Sequence, residues 1–404
     1  MKKVQSAAAT PVPSSPGSGR IDSLDLIRGV AILCILFMNI MSMTAPPIAY
    51  FVPEWSTAAG VGDRLVYIIQ SLFVESRFMS LFSLLFGVGL AIQTDGMVAR
   101  GVAPRPWIRR RLAWLLLFGL VHGFLVWAGD ILTLYAVTGL FAWRGARWSV
   151  KRLVVVGTMF LLLGQLALLS AFAGSVMTGE NLMEIPSLPY TVQAVRELRT
   201  QWTGFVSRIP ANAGEYLEFL LAIPLTLFWH TGGVMLLGIA LYRRGFFTDT
   251  TSWKWTVPAG TVGLLGATAV LLLRYRVGVA TSASYATMSM MMIPGLLMAL
   301  AYASFLVRIA SKETAIIRIL RDAGKTAFTL YIAQSIVIVG IFTVIAPELW
   351  GRLGRPILWL IVIVFSCAQA LWAHHHQKTR GRGPLERLWR YLAYRRRPDE
   401  VIRK

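Results

Sequence analysis

A chain of 404 residues that is 56% hydrophobic and 15% charged, with a mean hydropathy of +0.61, is far more apolar than a soluble domain, so most of it belongs in lipid. A formal charge of +21 would suggest nucleic acid in a soluble protein, but its distribution excludes that partner. Most of the 40 Lys and Arg residues fall in the N-terminal tail, in alternate connections between apolar stretches and in the tail from Lys378, which is the positive-inside pattern of a membrane protein.

In chain order, stretches able to cross about 30 Å of hydrocarbon recur at 24–43, 78–95, 107–127, 130–143, 153–175, 216–242, 255–273, 285–307, 325–346 and 356–373. They predict an all-α polytopic bundle of about ten spans with both termini in the cytoplasm. Residues 1–20, rich in Ser, Pro, Ala and Gly, read as a disordered cytoplasmic tail and not as a cleavable signal. Residues 21–175 then form an N-terminal five-helix half. Ahead of the second span, 65–77 lies in the interface or forms half of a broken helix. The long extracytoplasmic connection, 176–215, carries Val192, Val195, Leu198, Trp202 and Phe205 at helical spacing, which predicts a helix on the outer surface. A C-terminal five-helix half follows, 216–373, with no internal repeat of the kind duplicated transporters show. In the basic tail, 374–404, Leu385, Leu388, Trp389 and Leu392 make an apolar stripe among arginines, which predicts a helix resting on anionic headgroups. Cys34 and Cys367 both fall inside spans, at no metal or disulfide spacing, and read as small apolar residues.

An ionisable group in hydrocarbon costs several kcal/mol, so each one inside a span needs a partner, a cavity or a job. Asp25, Arg28 and Asn39 form a polar seam on the first helix, Arg28 and Asn39 being three turns apart on one face; Arg28 can equally snorkel to the surface while pairing with Asp25. Glu75 and Arg77 stand at the outer mouth of the second span, where Gly87 and Gly89 suit close helix packing rather than a phosphate loop. The most informative segment is His122 to Gly139. A tight Trp127-Ala128-Gly129 turn folds two helices back to back and can bring the His122 imidazole to the Asp130 carboxylate, which would orient the ring as a general base. The alternative is that Asp130 caps its helix and His122 bonds a neighbour. His230 and Gln334, near the middle of their spans, serve either chemistry or interhelical hydrogen bonding. His374, His375 and His376 point about 100° apart on a helix and cannot easily share a metal. No nucleophile elbow, Walker sequence, haem or zinc spacing occurs, so no metal site is expected.

The run from Arg20 to Ile32, with Asn39, resembles the opening of the YeiB-like bacterial membrane proteins. Leu81 to Gly87, His122 with Gly129 to Leu132 and Tyr135, Gly324 to Ala327 with Tyr331 and Gln334, and Gly383 to Glu386 with Trp389 and Arg390 look like further landmarks of that family, in its order, over about 20–394. The opening is also similar to that of transmembrane acyltransferases, among them the lysosomal enzyme that N-acetylates heparan glucosamine. That resemblance implies a bacterial inner-membrane protein that passes an acyl group from cytoplasmic acyl-CoA, a co-substrate and not a resident cofactor, to an extracytoplasmic glycan or small metabolite. It implies His122 as base with Asp130 behind it, Asp25 and Arg28 at the donor, and Asn39, Glu75, Arg77, Tyr135, His230 and Gln334 around the substrates. One departure is that 44–64 contains no His, where the lysosomal enzyme has one after its first span. A carrier of a small polar solute, with the same charges lining its route, is the rival reading; a receptor or assembly partner without chemistry is a third.

Overall fold

The computed structural model describes residues 21–56, 59–178, 190–224, 227–277, 287 and 289–394. The tail 1–20, part of the connection 176–215, the first residues of the stretch 285–307 and the end of the basic tail lie outside the described residues. Among the described residues the architecture is all-α, with a single bridge between Ser56 and Tyr190 and no strand. In order the helices are α1 (Asp22–Thr44), α2 (Val61–Phe73), α3 (Arg77–Val98), α4 (Pro104–Leu125), α5 (Leu132–Ala142), α6 (Val150–Thr178), α7 (Val192–Trp202), α8 (Ile209–Ala222), α9 (Leu227–Arg243), α10 (Trp253–Val277), α11 (Met292–Ile309), α12 (Ala315–Lys325), α13 (Ala327–Gly340), α14 (Arg355–Thr379) and α15 (Pro384–Ala393).

Each predicted apolar stretch lies mostly on helix where it is described. Among the described residues 7 helical runs are individually long and apolar enough to cross a membrane, or 8 if α8 and α9, bent by 62°, form one span. Two predicted spans fall short of that test for visible reasons: α4 carries Arg105 and Arg109 to Arg111 in its first two turns, and α5 has only 11 residues. The uncertain stretch 65–77 resolves into a broken helix. α2 and α3 form one apolar run of 38 residues, Val61–Val98, interrupted where Ser76 takes a left-handed conformation, φ 65°.

The connections gather at two ends of the bundle. At one end Arg243 reaches Asp95 and the Ala146 carbonyl, Ser23 donates to Phe247 O, Arg321 pairs with Asp22, and Trp389 donates to Arg111 O. At the other, Arg355 N meets Asp63, Gly351 N meets Thr44 O, Arg208 reaches Val126 O, and the Trp202 and Trp350 rings stack. α7 seals this second end with Val195 and Trp202, while Val192 and Phe205, expected on the same stripe, are exposed.

α1 is the buried axis, and glycines bring other helices to backbone contact. A Cβ on Gly29 would lie 1.8 Å from Leu320 O of α12, and one on Gly324 would lie 1.9 Å from Asp25 O. α3 and α9 meet the same way, through Gly87 against Met235 O and Gly238 against Leu84 O. Gly89, paired with Gly87 in the packing expectation, has nothing nearer than the Gln93 side chain at 3.8 Å.

α15 is more than a surface helix. Glu386 accepts from Phe328 N and Thr329 N at 2.8 and 3.1 Å and from Thr329 Oγ1 at 2.5 Å, capping α13 from a distant segment. Gly383 makes room, since a Cβ there would sit 2.2 Å from that carboxylate. Trp389 donates to Arg111 O at 2.9 Å and carries the Arg111 guanidinium 3.5 Å over its ring, so part of the stripe expected on headgroups covers α4 instead, with Leu388 and Tyr391 exposed. Of the three consecutive histidines, His374 meets Asp322 at 2.8 Å and His376 stacks on Trp372, so the rings diverge.

Gly87→Ala, which places a methyl 2.0 Å from Met235 O, should cost about 1–3 kcal/mol. Gly89→Ala should leave stability within about 0.5 kcal/mol of the parent. Thermal unfolding of the two detergent-purified variants checks the contrast.

Candidate functional site

The α4–α5 hairpin is built and locked by α8. α4 ends as Val126 N and Trp127 N both turn back to His122 O, at 2.8 and 3.0 Å, which leaves the last carbonyls of the helix without partners of their own. Arg208 donates to Leu125 O and Val126 O at 2.8 and 2.9 Å. Asn212 donates to Gly123 O and Phe124 O and accepts from Ala128 N at 2.9 Å. The turn is thereby fixed from outside.

Within it, Asp130 makes both of the contacts weighed from the sequence, one with each oxygen. Oδ1 meets His122 Nδ1 at 2.9 Å, and Oδ2 accepts from Thr133 N at 2.8 Å, capping α5. Asp130 is wholly buried and His122 is 3% exposed. Thr133 Oγ1 lies 2.6 Å from the Tyr216 hydroxyl, and the Tyr331 ring stands 5.3 Å from the imidazole while its hydroxyl accepts from Ile131 N at 3.1 Å. Gly119 and Gly123 admit this layer, because a Cβ on Gly123 would lie 2.1 Å from the Tyr216 ring. His122 Nε2 makes no hydrogen bond among the described residues. An ionised carboxylate can only accept, so the proton between the two belongs to Nδ1, and in the neutral ring the lone pair lies on Nε2.

A second polar cluster surrounds the break between α2 and α3. Glu75 meets Arg274 through both oxygens, at 3.1 and 3.3 Å, and Arg274 also donates to the Tyr67 hydroxyl at 2.8 Å and to Thr287 Oγ1 at 3.0 Å. Arg77 bonds the Glu75 carbonyl and touches Met298 Sδ at 3.2 Å. Arg355 donates to Gln70 Oε1 at 3.2 Å and to Ala49 O at 2.5 Å, its guanidinium 5.1 Å from the Tyr67 ring centre. All three arginines are buried.

The remaining residues are spread out. Arg28 pairs with Asp25 at 3.3 Å at the opposite end of α1, near enough to Arg111 to oppose its charge, as does Arg390. Asn39 is half-buried and makes no side-chain hydrogen bond among the described residues. Tyr135 donates to Met79 O at 3.1 Å and accepts from Ser83 at 3.2 Å, joining α5 to α3. His230 is buried on α9 with neither ring nitrogen bonded among the described residues, and Gln334 ties α13 to α1 and α14 through Ile32 O at 2.9 Å and Gln369 at 3.0 Å. Among the described residues no group of three His, Cys, Asp or Glu could hold a metal. Arg274 and Arg355, overlooked in the sequence, were detectable as charges at the edges of apolar runs; Tyr216 and Asn212 carry no sequence signal, because their partners are backbone and ring atoms far along the chain.

Arg274→Gln strands the buried Glu75 carboxylate and should cost about 3–5 kcal/mol, whereas Arg274→Met with Glu75→Leu together should recover most of that loss. Thermal unfolding of both variants reads the difference.

Residues 241–396 match a family model described as a protein of unknown function, DUF418. Over 390 residues the chain is 30% identical to the uncharacterized protein YeiB of Escherichia coli (strain K12), covering 92% of this chain and 96% of that one. It is 26% identical over 399 residues to the uncharacterized protein YxaH of Bacillus subtilis (strain 168), covering 93% and 94%, and 26% identical over 403 residues to an uncharacterized 39.9 kDa protein of Bacillus acidopullulyticus, covering 95% and 97%. No solved structure matches. With 30% identity over nearly the whole of both chains, this chain belongs to the YeiB-like family.

Proposed function

We propose that this protein is an acyl-CoA-dependent acyltransferase of the bacterial inner membrane, with about ten spans and both termini in the cytoplasm. The observation that carries the reading is the buried His122–Asp130 pair, with Nε2 of the imidazole unengaged. In the reaction Nε2 takes the proton of an acceptor hydroxyl or amine, whose heteroatom attacks the thioester carbonyl, and the CoA thiolate leaves. Asp130 holds the ring by Nδ1, and its second oxygen keeps it from rotating away. Arg28, a third exposed at the end of α1 beside Arg111, attracts the phosphates of the donor from the cytoplasmic side, and anionic lipid meets the basic tail. The acceptor is an envelope glycan or small metabolite on the outer side.

A carrier of a small polar solute is the second reading. The broken α2–α3 run with a buried Glu75–Arg274 pair favours it, since interrupted helices and buried charges mark substrate routes.

Calorimetry of the detergent-purified chain with acetyl-CoA and longer acyl-CoAs separates the two. The expected result is saturable binding that Arg28→Ala weakens, together with transfer of label from acyl-CoA to an envelope fraction that His122→Gln lowers about a hundred-fold or more without loss of fold. A fully active His122→Gln variant would sink the catalytic assignment. Movement of an unmodified solute into vesicles, with no acyl-CoA binding, would leave the carrier.

A further inference from the structure

The arginines at the α2–α3 break outnumber the acids they can pair with. Glu75 gives its carboxylate to Arg274, and the Asp63 carboxylate is taken by two main-chain groups, Gly60 N at 3.1 Å and Arg355 N at 2.6 Å. Arg77 and Arg355, both 0% exposed, are left with carbonyls, an amide oxygen and a thioether, and neither guanidinium forms an ion pair among the described residues. Those groups satisfy single N–H bonds but do not neutralise a charge; three buried guanidinium groups face the two carboxylates of Glu75 and Asp63, which leaves one positive charge in excess, and a buried charge in excess is unfavourable.

The unused hydrogen-bonding atoms point the same way. Nε of Arg77, Nε of Arg355 and the hydroxyls of Ser71 and Ser80, all buried, make no hydrogen bond among the described residues. Ser71 follows Gln70, the partner of Arg355, in the last turn of α2, and Ser80 lies three residues after Arg77 on the same face of α3. The break thus carries unengaged donors on both limbs, and the N-terminal end of a 22-residue helix adds its partial positive charge. Such a set of donors selects a group that is anionic and accepts through several oxygens.

We propose that the α2–α3 break is an anion-binding site in which Arg77 and Arg355, helped by Ser71 and Ser80, take the carboxylate or phosphate of a polar substrate. As the acceptor's docking point it rests on the acyl-transfer reading; as an anion site it does not. Two sources can present this chemistry: a soluble organic acid or phosphate ester, and a lipid headgroup, for which a groove of about 250 Å³ between α10 and α11 has Met298, the neighbour of Arg77, in its lining.

The test is thermal unfolding of the full detergent-purified chain, followed by tryptophan fluorescence. Inorganic phosphate, sodium acetate and, separately, phosphatidylglycerol are titrated in at constant ionic strength. A saturable rise in Tm is expected with a soluble anion, its midpoint shifting at least about ten-fold in Arg77→Met and in Arg355→Gln. Arg64→Gln, which alters an exposed arginine paired with Glu54, should respond as the parent does. Because Arg355 also holds Ala49 and Val52, Arg77→Met is the decisive variant. It loses the bond to the Glu75 carbonyl together with a buried charge, so its Tm without ligand serves as the check of fold and the ligand-dependent rise carries the test. A rise with phosphatidylglycerol alone, showing the same arginine dependence, keeps the anion site and assigns it to a lipid headgroup. Equal responses in parent and Arg77→Met, or no saturable rise with any of the three, overturns the proposal, and acyl-CoA binding that persists in that case leaves the acyl-transfer reading standing.

Discussion

Hydrocarbon offers no water to a broken helix, and interruptions in this bundle are tied off by side chains, most of them from far along the sequence. Where α4 ends, Arg208 and Asn212 take its last carbonyls. Where α2 breaks from α3, Arg77 takes the Glu75 carbonyl and the Tyr302 hydroxyl takes that of Phe73. Arg355 secures Ala49, and Glu386 collects the first amides of α13. These ties hold irregular backbone where lipid-exposed chain could not stay, and the two candidate sites lie at such breaks: the hairpin with His122 and Asp130, and the gap around Ser76.

Glycine supplies the complementary condition. Long polar side chains reach across helices only if the helices stand close, and Gly29 with Gly324, Gly87 with Gly238, and Gly119 with Gly123 remove the Cβ atoms that would hold them apart. The last pair shapes the candidate site, since it lets Thr133, Asp130 and Tyr216 pack against the turns of α4 that carry His122.

Apolar runs and alternating basic connections made the helices and their two-ended arrangement legible from the sequence, because hydrocarbon thickness imposes length and charge directly. The His122–Asp130 contact was legible too, since an eight-residue separation across a Trp-Ala-Gly turn leaves few other places for the two side chains. What the sequence hid were contacts between distant segments. Nothing at Glu386 announces that it caps α13, and Asn212 reads as an ordinary polar residue before a span. Gly89 misleads in the other direction, sharing a motif with Gly87 but no close neighbour. Local pattern fixes which face a residue occupies on its own helix; partner choice depends on how whole helices are laid side by side.

The two sites are also joined through one helix. Along α3, Arg77, Ser80 and Ser83 follow within six residues, about 9 Å of helix axis. Ser83 and the Met79 carbonyl hold the Tyr135 hydroxyl of α5, and at the start of that helix the Tyr331 hydroxyl accepts from Ile131 N while its ring stands against His122. Under the acyl-transfer reading, an acceptor anchored by its anionic group at Arg77 would extend along α3 toward the unengaged imidazole nitrogen. The donor would come from the opposite end, where Arg28 begins α1. Such an arrangement separates the charge that positions the acceptor from the base that deprotonates it, so the arginines strengthen binding without lying against the ring that must take up the proton.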